Sequence, residues 1–269
     1  MALAVVLFIS STALFLVVFA YGLSGLQEHR SQHELYAKFR GLLAPASTVA
    51  PSIGGAIAPG TPVALLNAPL AGLRNAVVVE GTSSSDLLAG PGHQSNTPLP
   101  GQVGESVLLG KSSTAGGPFR AIGQLRTGDL ILVRTGQGVF HYKVIGRLAP
   151  GQRPASVPAT GSVLVLGTSA GSAGGTVLYV EAKLEGHALR VPKGLPKSVP
   201  SAELPGHSDL GAWPAVALWL FVLALASGIA WWLWARWSLL RTWIVAAPVL
   251  LAILWALGNA VLAMVPNVY

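Results

Sequence analysis

The chain has 269 residues, of which 52% are hydrophobic and only 10% are charged, and its mean hydropathy is +0.59. Soluble globular domains carry about 25% charged residues, so this composition excludes a purely cytosolic enzyme and a disordered protein. The absence of cysteine excludes disulfides, thiolate metal sites and a cysteine nucleophile. The net charge of +7 comes from scattered basic residues, so we expect no nucleic-acid partner.

Residues 1–26 predict a transmembrane helix. Residues 2–23 form an uncharged apolar run that is long enough to cross a bilayer. A cleaved signal peptide is the alternative interpretation. No basic residue precedes the run, however, and Ala-Tyr-Gly at 20–22 is a poor cleavage site. We therefore expect an uncleaved membrane anchor.

Residues 27–61 predict a juxtamembrane helix followed by a linker. Apolar and charged side chains recur at helical spacing over residues 27–43, and residues 44–61 are rich in Ala, Pro, Ser and Gly. A second, Pro-rich linker over residues 189–212 is expected to return the chain to the membrane as a semi-rigid tether.

Residues 62–188 predict a mostly β domain. Short β-branched and aliphatic runs lie between Gly-rich turns, and apolar residues alternate with His141 and Lys143, so His141 is expected to face solvent. Many short strands of this kind favour a closed barrel with one core. The predicted strands are 63–66, 76–79, 106–109, 129–135, 139–145, 162–168 and 177–184.

Residues 213–265 predict a transmembrane helical hairpin. Two uncharged stretches, 213–234 and 243–265, flank a short turn that contains Arg236 and Arg241. The positive-inside rule places this turn in the cytoplasm and residues 24–212 outside. The first span alone favours the reverse orientation, because basic residues follow it and none precedes it. We give the short turn more weight and expect a multi-pass protein of the cell membrane with an extracytoplasmic main domain.

Small residues in the hairpin suggest that its helices pack closely with other helices. Ser227, Gly228 and Gly258 allow close approach, and Asn259 is an amide that needs a partner within the third span. These four residues are the candidates for packing against other membrane protein subunits. The alternative is that the hairpin only anchors the chain in the lipid bilayer.

Short motifs occur in a fixed order along the middle domain. They are Val-Glu-Gly at 79–81, Gly-Pro-Gly-His at 90–93, Leu-Pro-Gly-Gln at 99–102, Leu-Leu-Gly at 108–110, Pro-Phe at 118–119 and Gly-Asp at 128–129. Their order and spacing resemble the sortase family, especially its actinobacterial class D and E members. The resemblance covers about residues 57–186 and implies a membrane-anchored β-barrel transpeptidase of the outer envelope face. In that family a Cys attacks a sorting-signal peptide, a His is its acid–base partner and an Arg stabilises the oxyanion.

All three catalytic positions implied by this resemblance are altered. By position, Lys111 replaces the His, Ser169 replaces the Cys, and the Arg falls at Val177. The nearest basic residue on that strand is Lys183. A serine must be deprotonated by an adjacent base, and an oxyanion donor contributes roughly 3–4 kcal/mol, so these changes should abolish the family reaction. His93 matches a different family position and is expected to be a structural or surface-loop histidine.

Two functions remain open, besides the possibility that a peptide-binding groove keeps its affinity without chemistry. In the first, the chain is a catalytically inactive subunit of a larger membrane assembly, in which the outer domain contacts an extracytoplasmic protein. In the second, Lys111 and Ser169 form a Ser–Lys dyad that acts on envelope peptides, which requires a buried and deprotonated Lys111. The polar neighbours of Lys111 favour an exposed lysine and hence the first function. We expect no cofactor, because no phosphate-binding loop is complete, and no metal, because the histidines lack ligand spacing.

Overall fold

The protein consists of a closed β-barrel joined to long helices. The computed structural model describes residues 2–43, 57–148, 152, 161–170, 176–191, 194–196, 198–236 and 239–269. Most of the predicted linker over 44–61, and parts of the 189–212 linker, lie outside the described residues.

The N-terminal helices form one continuous helical stretch. Helix α1 (Ala2–Val18) runs through a π-helical turn (Phe19–Leu23) into α2 (Ser24–Leu43). Ser24 Oγ donates to the Ala20 carbonyl at 2.6 Å within this turn. The helix predicted over residues 27–43 is therefore present as the continuation of the first span.

Helix α2 is fixed to the side of the barrel by one glutamine. Gln32 Nε2 donates to the carbonyls of Val77 and Ala89, and Gln32 Oε1 accepts from the Val77 N–H at 2.7 Å. Leu35 and Phe39 of the same helix pack in an apolar cluster with barrel residues. These contacts fix the position of the barrel relative to the first span.

The barrel is closed in the order β1-β2-β3-β4-β7-β8-β6-β5. The β2–β3 and β4–β7 pairs are parallel, and the other pairs are antiparallel. All seven predicted strands are confirmed, whereas the two-residue β3 is too short to leave a periodic pattern. The strands are β1 (Pro62–Ala68), β2 (Leu73–Glu80), β3 (Gly92–His93), β4 (Gly104–Leu109), β5 (Leu130–Thr135), β6 (Gly138–Leu148), β7 (Ser162–Ser169) and β8 (Val177–Glu185).

The barrel interior is apolar and contains one buried phenol. Along β6, Phe140, Tyr142 and Val144 are buried while His141 is exposed, which confirms the predicted alternation. The Tyr142 hydroxyl accepts from the Gly101 N–H at 2.6 Å and shares a hydrogen bond with Ser162 Oγ. Burial raises the pKa of Tyr142 above its ordinary value.

The predicted hairpin is present as α3 (Trp213–Arg236) and α4 (Leu239–Met264), which pack through Leu223 and Leu257. Its turn is shorter than the sequence indicates, because both helices extend into the predicted turn over 235–242. Among the described residues, three helical stretches are long and apolar enough to cross a membrane: Ser10–Gly41, Trp213–Arg236 and Arg241–Met264.

The small residues of the hairpin have different surroundings. A Cβ at Gly258 would lie 2.5 Å from Phe19 Cδ1, so this glycine lets α4 approach the first span closely. A Cβ at Gly228 would meet no heavy atom within 4 Å, so this glycine lies on an open face. Ser227 Oγ donates to the Leu223 carbonyl of its own helix. Asn259 Oδ1 is buried and has no hydrogen-bond partner within the described part of the chain.

Candidate functional site

The positions that correspond to the family's catalytic residues meet at one end of the barrel. In the parallel β4–β7 pair, Leu109 lies opposite Gly167, and the Gly110 N–H continues the ladder to the Gly167 carbonyl at 3.0 Å. Lys111 and Ser169 therefore follow on adjacent strand ends. Ser169 pairs directly with Val177 across β7 and β8.

Lys183 does not take part in this arrangement. It lies six residues further along β8, and a strand rises about 3.3 Å per residue, so it is about 20 Å from the Val177 end. Its partner on β7 is Val163, near the start of that strand. The site therefore has no arginine or lysine at the position where the family places its arginine.

Lys111 is completely buried, and the expectation of an exposed lysine is wrong. Its Nζ donates to Ser84 Oγ at 3.0 Å, and Ser84 Oγ donates to the Leu262 carbonyl at 2.9 Å. Ser84 comes from the loop after β2 and Leu262 from the end of α4. Distant parts of the chain thus close over Lys111, which its polar sequence neighbours could not reveal.

Burial lowers the pKa of Lys111 from 10.5 to about 7. The cause is desolvation, which disfavours the charged ammonium. A substantial fraction of this amine is therefore neutral at neutral pH, as a Ser–Lys dyad requires. The hydrogen bond, however, joins Lys111 to Ser84 and not to Ser169. Ser84 is itself completely buried, and its hydroxyl donates to the Leu262 carbonyl. A substrate therefore has no access to the Ser84 hydroxyl.

The backbone at the two strand ends forms a pair of donors directed at one oxygen. The N–H groups of Ser112 and Ser169 donate to the carbonyl of Val268 at 3.2 and 3.1 Å. Two backbone N–H groups around one oxygen resemble the arrangement that stabilises an oxyanion in acyl transfer. Here the oxygen belongs to a peptide bond of the protein itself.

The surroundings of Val177 are apolar. Val177 and Val268 belong to one buried cluster with four other aliphatic side chains: Leu87, Val107, Leu109 and Val165. A charged group here would be desolvated without compensation. The position that the family gives to its oxyanion-stabilising arginine is therefore unsuited to a cation.

His93 is a buried structural residue. Its Nδ1 lies 2.8 Å from Glu80 Oε2, and its Nε2 lies 3.1 Å from the Pro98 carbonyl. The structural interpretation is confirmed, but His93 lies in β3 and not in a surface loop. This pair joins the parallel strands β2 and β3. Within the described residues, no group of three or more His, Asp or Glu side chains could hold a metal ion.

Comparison with known proteins identifies the barrel. Residues 66–170 match the Sortase domain family. Sortase D of Bacillus subtilis (strain 168) is 35% identical over 68 residues, which make up 25% of this chain and 33% of that protein. The barrel is a sortase domain. The matched segment spans about a third of the length of this curated relative.

Solved sortase structures are also similar to the chain. A Clostridium perfringens sortase D5 transpeptidase has a TM-score of 0.46 and 22% identity, over 59% of this chain and 98% of that one. Sortase E from Streptomyces avermitilis has a TM-score of 0.42 and 29% identity, over 52% of this chain and 98% of that one.

Three residues of this sortase site were not predicted. Ser84 lies in a polar loop with other serines, so nothing in the sequence distinguishes it. Asn267 and Val268 follow the last helix in a segment too short to show periodicity. Only the fold brings these residues to the strand ends that hold Lys111 and Ser169.

Proposed function

We propose that the protein is a catalytically inactive sortase-family member that acts as an extracytoplasmic interaction subunit of a larger membrane assembly. The observation that carries the first half is the apolar cluster around Val177. A thiol transpeptidase must stabilise a charged tetrahedral intermediate next to its nucleophile. At this site an aliphatic cluster stands beside Ser169, and no cysteine is present in the chain.

The proposed interaction role is supported by the way the barrel is held. Gln32 fixes one side of the barrel to α2, and Ser84 joins it to the end of α4. Attachment to two spans restricts the height and tilt of the domain above the bilayer. Such restriction hinders an enzyme that must reach many substrates, and it suits a domain that docks at one place.

The spans offer a surface for other membrane subunits. Gly228 lies on an open face of α3, and Asn259 Oδ1 lacks a hydrogen-bond partner in the described chain. Helices in lipid associate through small residues and polar contacts, because apolar surface alone gives no driving force there. We expect Gly228→Leu and Asn259→Leu to release partner proteins during purification in mild detergent. A monomer that neither substitution affects would contradict the assembly role.

The proposed orientation places the barrel outside and Arg236 and Arg241 in the cytoplasm. Helix α4 has 26 residues and is about 39 Å long at 1.5 Å per residue. Its last turn contacts the barrel through Leu262, so its first turn lies about one bilayer thickness away. This length supports the proposal that the basic hairpin turn and the barrel lie on opposite sides of the bilayer.

The test of inactivity is Ser169→Ala in cells. We expect the variant to keep the protein's cellular function, because the neighbouring amine of Lys111 bonds Ser84. The matched variant Ser169→Thr keeps a hydroxyl and should behave identically. Loss of function in a folded Ser169→Ala protein, with function retained in Ser169→Thr, would show that the hydroxyl reacts.

A second candidate function is a Ser–Lys hydrolase, and the burial of Lys111 favours it. A neutral amine at neutral pH can accept a serine proton. We would test it with a fluorophosphonate probe on the wild type, Ser84→Ala and Ser169→Ala. Labelling that disappears in either variant would establish the hydrolase and identify its nucleophile. Absence of labelling in the wild type would support the proposal that the protein is a catalytically inactive interaction subunit.

A further inference from the structure

The residues that follow α4 enter the sortase site. We call residues 266–269 the post-helix segment. Asn267 is completely buried and Val268 is 2% exposed. The segment lies at the ends of β4 and β7, where the altered catalytic positions meet. Its contacts involve both its backbone and its side chains.

The backbone of the segment is held as an extended ligand would be. The Val268 carbonyl accepts hydrogen bonds from the N–H groups of Ser112 and Ser169. The Tyr269 carbonyl accepts one from Thr114 Oγ1 at 2.8 Å. Carbonyl recognition of this kind does not depend on side-chain identity, so it binds peptides as a class.

The side chains of the segment fit specific surroundings. Val268 fills the apolar cluster that includes Leu109 and Val177. Asn267 Nδ2 donates to the carbonyls of Thr82 and Leu204, and its Oδ1 accepts from the Gly206 N–H at 2.9 Å. Both amide hydrogens and the amide oxygen are used, so Asp at this position would lose two donated bonds. The site therefore selects Asn followed by a small aliphatic residue.

We propose that the groove at the ends of β4, β7 and β8 is a peptide-binding site that the protein fills with its own residues 267–269. The resident segment excludes other peptides from the strand ends that precede Ser112 and hold Ser169. Release of the segment opens a site for an extended peptide that carries Asn before a small aliphatic residue. This assignment does not depend on whether the protein is catalytically active.

The first experiment tests self-filling in the full chain. Because the chain contains no cysteine, Val177→Cys with Val268→Cys introduces a single pair of thiols. We expect oxidation to give an intramolecular disulfide in the membrane-embedded protein. The control pair is Leu189→Cys with Val268→Cys, since Leu189 pairs with Gln102 before the start of β4, at the other end of the barrel. It should not form a bond.

Two outcomes of this experiment would overturn the proposal. Equal cross-linking of both pairs would mean that the segment is not seated in the groove. A disulfide-linked dimer of the Val177→Cys, Val268→Cys protein would mean that the segment fills the groove of a second copy.

The second experiment tests whether the groove binds peptides. The probe is fluorescent Pro-Asn-Val-Tyr with blocked ends, offered to the wild type, to a deletion of residues 266–269 and to full-length Val268→Asp. We expect both altered proteins to bind at least tenfold more tightly than the wild type. Pro-Asp-Asp-Tyr is the control peptide and should not bind. Equal binding by all three proteins, or binding by none, would contradict a self-filled site, and Val268→Asp gives the answer if the deletion does not fold.

Discussion

Lys111 Nζ and Ser84 Oγ form a hydrogen bond of 3.0 Å between two completely buried side chains. Ser84 Oγ in turn donates a hydrogen bond to the Leu262 carbonyl at the end of α4. A strand end of the sortase barrel is thereby connected to a membrane helix through two polar side chains. The position that the family uses for acid–base catalysis is used here for attachment.

Lys111→Met should change how stability depends on pH. The pKa of Lys111 is about 7 in the folded protein and has its ordinary value of 10.5 in the unfolded chain, so the unfolded chain binds more protons between these values. The penalty for burying Lys111 is therefore complete below about pH 7 and falls as the pH rises towards 10.5. The stability gained by Lys111→Met should shrink by about 1.4 kcal/mol per pH unit across this window. Unfolding of both proteins in detergent at several pH values measures it.

A constant difference between Lys111→Met and the wild type from neutral to alkaline pH would contradict this prediction. Lys183→Met is the matched control, because Lys183 is exposed. Its effect on stability should not vary across the same range.

Gln32→Leu should release α2 from the barrel. The substitution removes three hydrogen bonds and leaves the Val77 N–H and the carbonyls of Val77 and Ala89 without their partner. Each part-buried group that loses its partner lowers the free energy of unfolding by up to about 3 kcal/mol. Hydrogen exchange at the Val77 amide should increase in Gln32→Leu. Arg30→Leu, on an exposed part of the same helix, is the control and should leave that amide protected.

Gly258→Leu and Gly228→Leu should differ, although both replace a glycine within a membrane helix. A side chain at Gly258 would overlap Phe19, so overpacking should destabilise the fold by about 1–3 kcal/mol. A side chain at Gly228 meets open space and should leave the melting temperature unchanged. Thermal unfolding of the purified proteins measures both. Equal melting temperatures would show that the first and third spans do not pack at Gly258.

Cysteines placed on either side of the membrane should report the proposed orientation. Lys183→Cys lies on an exposed barrel position, and Ser238→Cys lies in the hairpin turn outside the described residues. In intact cells an impermeant maleimide should label the first and not the second. Permeabilised cells should allow both to react. The reverse pattern in intact cells would place the barrel in the cytoplasm.

The sequence predicts the long strands well because the apolar residues of each strand alone mark the positions that become buried. Phe140, Tyr142 and Val144 alternate with polar residues, so β6 can be recognised without its neighbours. The motif order in residues 79–129 likewise predicts the sortase domain. Two-residue β3 leaves no such pattern, and its His93 pairs with Glu80 only after β2 and β3 meet.

The candidate site is less predictable because its surroundings come from distant parts of the chain. Lys111 has polar neighbours in the sequence, yet Ser84 and Leu262 bury it. The register of the parallel strands β4 and β7 brings Lys111 and Ser169 together, as the resemblance implies. Nothing in the order of residues shows that Val268 will fill the adjacent cluster.

The place of Val268 in the barrel has a consequence for biosynthesis. A ribosome delivers every strand of the sortase domain before it makes α3, α4 and the residue that fills the cluster around Val177. The barrel therefore stays incomplete until both hairpin helices have been inserted. If only one of the two hairpin helices spanned the bilayer, Val268 would lie across the bilayer from the barrel and the cluster would stay open. Completion of the domain thus depends on insertion of both helices, and a chain that fails this step leaves an apolar cleft exposed.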